Sequence, residues 1–73
     1  MTREFLNELD DIFEVDHGTM TPETQYKELD EWDSVTLLSL VAVFEDEYGI
    51  VLSNDLIDRS NTITELLENS INL

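Results

Sequence analysis

The sequence predicts an all-α protein, a small four-helix bundle of three main helices and one short helix, with a long first loop. Apolar residues recur at helical spacing in three separate stretches, and residues that start and stop helices stand between them. The 73 residues suit one small domain, residues 1–73, and the 41% that are hydrophobic supply one modest core.

Phe5, Leu9 and Ile12 follow the i, i+4, i+7 rule, and Leu6 and Phe13 widen the stripe. Residues 3–15 should therefore form an amphipathic helix with Glu4, Glu8, Asp11 and Glu14 toward water. Asp16-His17-Gly18 should stop it, because Gly18 can take the left-handed conformation. Residues 16–33 form a long connection containing the only proline, Pro22. Connections of this length are usually functional or pinned to the core, and Tyr26, Leu29 and Trp32 are the expected pins. A second helix should run from Ser34 to Tyr48 and end at Gly49. Ile50-Val51-Leu52 is a short extended link, and Ser53 reads as the N-cap of a brief turn carrying Leu56 and Ile57. Thr62-Ile63-Thr64-Glu65 fits a capping box and opens the last helix, whose buried stripe is Ile63, Leu66, Leu67 and Ile71.

The charge is lopsided: 18 acids stand against Lys27, Arg3 and Arg59, a net of −15. Scattered bases cannot neutralise a row of phosphates, which excludes nucleic acid as a partner, and an anionic membrane surface would repel the chain. A protein with a basic groove is the natural partner, reached through electrostatic steering. The absence of cysteine excludes disulfides, thiolate catalysis and cysteine-ligated zinc. The stretch MTREFLNELDD has acids where a signal peptide needs an apolar run, and no stretch reaches membrane-spanning length. A cytoplasmic protein without membrane insertion is expected, and it should be a monomer. His17, the one histidine, has no neighbours in sequence that would complete a catalytic triad, so no enzyme is expected. Asp30, Glu31 and Asp33 lack the ligand spacing of a calcium loop, and no metal site is expected.

The second helix is apolar on too many sides. On a wheel, Leu37, Val41, Phe44 and Tyr48 share the core side, flanked by Leu38 and Leu40. The opposite side carries Val35, Ser39, Ala42, Val43 and Asp46, with Glu45 and Glu47 toward its edges, where an ordinary surface helix is polar. Isolated surface apolar residues are common. A docking strip, apolar along its centre and rimmed by acid, is the functional alternative.

That strip begins directly after Ser34, in WDSVTLLSL (residues 32–40). Asp33 and Ser34 can be there only to cap the helix. They can also hold a hydroxyl in the open for attachment of another group. An anion on Ser34 would lie at the positive end of the helix dipole, beside backbone N–H groups without intrahelical partners.

Leu29-Asp30-Glu31-Trp32-Asp33-Ser34-Val35, followed by an apolar helix, Glu45-Asp46-Glu47-Tyr48-Gly49 and Ile50-Val51-Leu52, resembles the acyl carrier proteins. In that family a D-S-L tripeptide opens the second of four helices on an acidic domain of about this size. The W-D-S form, with helix two ending E-D-E-Y-G, looks like free-standing bacterial carriers from specialised biosynthetic clusters. Val35 replaces the usual leucine, and Thr36 and Ser39 stand where fatty-acid carriers commonly have acids. These departures point away from the housekeeping fatty-acid carrier.

The resemblance implies that Ser34 carries 4′-phosphopantetheine, attached covalently from coenzyme A by a phosphopantetheinyl transferase. The arm would hold acyl groups as thioesters in a fatty-acid- or polyketide-type biosynthesis. Further partners would be acyl-loading and acyl-transferring enzymes with basic docking surfaces, meeting Asp33, Val35, Ala42, Glu45 and Asp46. Two alternatives stand beside this reading: an unmodified acyl-carrier-like module that docks to a partner enzyme, and a carrier of aminoacyl or peptidyl groups.

Overall fold

A computed structural model describes residues 1–71. Its helices are α1 (Arg3–Ile12), α2 (Ser34–Tyr48), α3 (Asn54–Arg59) and α4 (Ile63–Ile71), with a 3-10 turn at Tyr26–Glu28 in the long first loop. The chain forms a small all-α bundle, with no strand among the described residues beyond one isolated bridge between Gln25 and Thr62.

Helix α1 starts where the Thr2 hydroxyl accepts the Phe5 N–H at 3.1 Å. It ends at Ile12, earlier than the expected residue 15. The stop is Glu14, at φ 56°, in place of Gly18: the Glu14 N–H donates to the Asp11 carbonyl at 3.2 Å and the Val15 N–H to the Asp10 carbonyl at 3.0 Å. This is the closing pair of a Schellman motif, normally built on glycine. Gly18, at φ 96°, shapes the following loop instead.

Phe5 and Leu9 from α1 and Phe13 at its C-cap meet Leu40 and Phe44 from α2 in the core, with Phe5 and Phe44 edge to face at 5.4 Å. Leu56, Ile57, Ile63 and Leu66 close the other side, and Leu52 in the apolar link is also buried. The first loop is tied down as expected. Tyr26 is fully buried, its hydroxyl shared between the Ile57 and Ser60 carbonyls at 2.9 and 3.0 Å. Leu29 and Trp32 pack half-buried against the core, with the Trp32 ring stacked on Phe13 and edge-on to Tyr26. The Thr64 N–H and hydroxyl both donate to the Pro22 carbonyl, which fixes the loop to the start of α4.

Some side chains fall outside their expected layer. Leu38 is 70% exposed and joins the outer face of α2, because its azimuth lies well away from that of Phe44. Tyr48 is exposed at its edge while its ring stays edge-on to Phe5 at 5.0 Å. Leu67 is half-buried, and Ile71 is exposed because the last turn of α4 outruns the core.

Candidate functional site

Trp32 fixes the approach to α2. Its backbone N–H donates to the Leu29 carbonyl at 3.0 Å, and its ring is held against Phe13 and Tyr26. The chain then extends through Asp33 and turns into helix at Ser34. Asp33 and Thr36 form a reciprocal capping box. The Thr36 N–H donates to Asp33 Oδ1 at 2.9 Å, and the Asp33 N–H donates to Thr36 Oγ1 at 2.8 Å. The Thr36 hydroxyl has the Asp33 and Glu31 carbonyls as acceptors at 3.0 and 3.1 Å. The Thr36 N–H, helped by the Thr36 hydroxyl and the Val35 N–H, holds the Asp33 carboxyl below the usual carboxylate range, against partial loss of hydration.

Ser34 sits between these two residues and takes no part in the cap. Its side chain is exposed, and none of the bonds at the helix start uses its hydroxyl. The backbone donors that an anion on Ser34 could have used are largely taken by Asp33, whose carboxylate already occupies the positive end of the helix. What the fold offers Ser34 is an unengaged hydroxyl in the open.

The outer face of α2 rises from that point. Val35 is 68% exposed, and Ala42, Glu45 and Asp46 are exposed farther along. Leu38 belongs with them, a residue that the wheel had assigned to the core flank. A surface cavity of about 180 Å³ opens beside Val35, between the end of α1 and the start of α2. Ile12, Phe13 and Val35 line its apolar part and Glu14, Glu31 and Asp33 its acidic part.

A family model described as "PP-binding: Phosphopantetheine attachment site" matches residues 3–69. The chain belongs to this phosphopantetheine attachment site family. No curated protein and no solved structure matches the chain. As a family member it has 4′-phosphopantetheine as its covalently attached cofactor, and the family's domains are carriers that meet modifying enzymes such as phosphopantetheinyl transferases.

The serines of this phosphopantetheine attachment domain differ sharply in what their hydroxyls do. Ser53 Oγ caps α3 by accepting the Leu56 N–H at 3.2 Å. Ser60 is fully buried and accepts from Asn69 Nδ2 at 2.7 Å. Ser70 donates to the Leu67 carbonyl at 2.8 Å, and Ser39 is half-buried inside α2. Ser34 is the one exposed serine whose hydroxyl is unengaged among the described residues, so its chemistry fits ester formation with a phosphate.

His17 Nε2 lies 2.9 Å from Asp11 Oδ1, both side chains well exposed, with no hydroxyl bonded to the imidazole among the described residues. No group of three or more His, Asp or Glu among the described residues is placed to hold a metal ion, and no described helix is long and apolar enough to cross a membrane. Two side chains central to the local geometry escape the sequence reading. Thr36 is one, although D-x-x-T has the spacing of a capping box. Asp10 is the other, fully buried and accepting the Gly18 and Met20 N–H groups at 2.9 and 2.7 Å. The helical wheel holds a clue to Asp10, which falls about 40° from Leu6 and beside the apolar arc.

Proposed function

We propose that the chain carries its 4′-phosphopantetheine arm on Ser34 and presents acyl groups to biosynthetic enzymes, without catalysing a reaction itself. The observation that supports Ser34 most directly is its exposed hydroxyl, relieved of capping by Asp33 and Thr36. Ser34 Oγ provides the ester oxygen of a phosphodiester, and Asp33 and Thr36 keep that oxygen at a fixed corner of the fold. When bound, the arm supplies a terminal thiol for thioester linkage, which this cysteine-free chain lacks. Val35, Leu38 and Ala42 form the apolar centre of a docking strip, and Asp33, Glu45 and Asp46 form its acidic rim. A net charge of −15 favours transferases and acyl-transferring enzymes with basic grooves, and encounters brief enough for the carrier to pass from one to the next. The protein works as a cytoplasmic monomer in a fatty-acid- or polyketide-type pathway.

Intact mass after co-expression with a broad-specificity phosphopantetheinyl transferase tests the reading. The parent should gain the mass of one arm and the Ser34→Ala variant none. A parent that stays unmodified beside an active transferase marks a docking module instead. Transfer assays with acyl and aminoacyl donors then decide the cargo, with acylation expected.

A further inference from the structure

A serine at the start of a helix is usually its cap, because its side-chain oxygen accepts one of the free N–H groups there. Here Asp33 is the cap, its carboxylate accepting the Thr36 N–H, and the Thr36 hydroxyl returns a bond by accepting the Asp33 N–H. Thr36 is only 8% exposed, so its hydrogen bonds are shielded from competing water. Its hydroxyl accepts the Asp33 N–H at 2.8 Å and lies 3.1 Å from the Glu31 carbonyl, reaching back across the turn that leads into α2. Its N–H grips the Asp33 carboxylate at 2.9 Å. Ser34 is thus held from both sides in sequence while its own hydroxyl stays idle.

We propose that Thr36 is a positioning residue for modification at Ser34, an inference that rests on Ser34 being the attachment site. The first turn of a helix frays more readily when one half of its capping box is lost. Without the Thr36 hydroxyl, the Asp33 N–H loses its acceptor and the Glu31 turn loses its tie to the helix. Ser34 then samples several placements, and a transferase has to select the productive one at each encounter, which lowers its apparent affinity for the carrier.

The test is transferase kinetics with coenzyme A, followed by intact mass at varied carrier concentration, on the parent and on Thr36→Val, Thr36→Ser and Thr62→Ala. The last variant is a control for stability. It breaks the separate capping box at α4, where Thr62 Oγ1 accepts the Glu65 N–H at 3.1 Å and Glu65 Oε1 accepts the Thr62 N–H at 3.2 Å. Thr36→Val should raise KM for the carrier roughly five-fold, about 1 kcal/mol at 1.36 kcal/mol per factor of ten, with kcat little changed. Thr36→Ser should stay within about two-fold of the parent because its hydroxyl restores the bonds. Thr62→Ala should melt lower and keep the parent's KM. If valine at this position prevents folding, Thr36→Ala, which leaves room for water at the Asp33 N–H, replaces it with the same expectation. An unchanged KM in Thr36→Val, or in the alanine variant that replaces it, overturns the inference, as does an equal rise in Thr62→Ala, which would make the effect one of stability alone. A parent that takes up no arm, or a Ser34→Ala variant that does, overturns the attachment reading itself and this inference with it.

Discussion

The buried carboxylate of Asp10 accepts the Met20 amide N–H at 2.7 Å, joining the last turn of α1 to the far side of the loop that follows. Its other oxygen takes the Gly18 N–H at 2.9 Å. The Met20 N–H would otherwise face the interior without a partner, and the Gly18 N–H, at an exposed residue, would lose a bond that is partly shielded from water. Asp10→Ala is therefore expected to lower stability by about 2 kcal/mol, the cost of leaving such groups unsatisfied. Asp10→Asn should recover only part of this, since the amide turns one acceptor into a donor. Urea unfolding checks both, and an Asp10→Ala variant as stable as the parent would refute the tie.

Glu8 on α1 and Glu47 on α2 form the reverse arrangement, an acid facing acids. Partial burial first, then the charge of Glu47, and then those of Asp46 and Asp11 raise the Glu8 pKa above the usual glutamate value. The folded state therefore binds the Glu8 proton more tightly than the unfolded chain does. Stability from this group rises as pH falls through the raised value, and ionised Glu8 is a standing strain at neutral pH. Glu8→Gln should melt higher than the parent at pH 7. The gain should shrink with added salt and vanish near the ordinary carboxylate range, where the parent's Glu8 is protonated. Asp33 has the opposite sign: its lowered pKa adds stability above the ordinary aspartate value, lost as pH falls through the native one.

Glu14 sits at φ 56°, a conformation in which a Cβ crowds the following carbonyl at a cost of roughly 1–2 kcal/mol. Glycine removes that clash but loses more freedom on folding, which takes back roughly 0.4–1 kcal/mol. Glu14→Gly should therefore stabilise the protein by about 0.5–1 kcal/mol, and Glu14→Val should destabilise it. Thermal unfolding of the pair decides the point. A stabilising valine would mean that α1 does not close through Glu14.

Much of this fold was legible because local rules and burial agree. Gly49 at φ 66° ends α2 where it was expected, and Thr62 with Glu65 opens α4 through the bonds that their spacing implies. Tyr26, Leu29 and Trp32 pin the first loop because large apolar groups in a long polar connection have one favourable destination. The misreadings arise where tertiary contacts overrule the local signal. Glu14 holds a left-handed site that a glycine search sends to Gly18. Asp10 looks like any other acid until the loop folds over it. Ser34 was legible as a residue at a helix start, but its spare hydroxyl depends on Asp33 and Thr36 sharing the capping box, a division of labour that hydrogen-bond geometry reveals and residue type does not.

The outer face of α2 offers the last prediction, because its apolar and charged parts should fail in different ways. Leu38 is 70% exposed, so Leu38→Ala removes little from the core and should leave the melting temperature nearly unchanged. If the strip docks to a basic enzyme, that truncation should speed dissociation to a similar extent at every salt concentration, as loss of buried apolar contact does. Reversal of Glu45 and Asp46 to lysine acts at longer range. Both side chains are exposed, so the fold should survive, but the association rate with a phosphopantetheinyl transferase should fall steeply at low salt and converge on the parent's rate at high salt. Stopped-flow association across a salt series separates the two signatures. Should the double lysine variant associate at the parent's rate at low salt, steering comes from the overall charge of −15 and α2 is not the docking face.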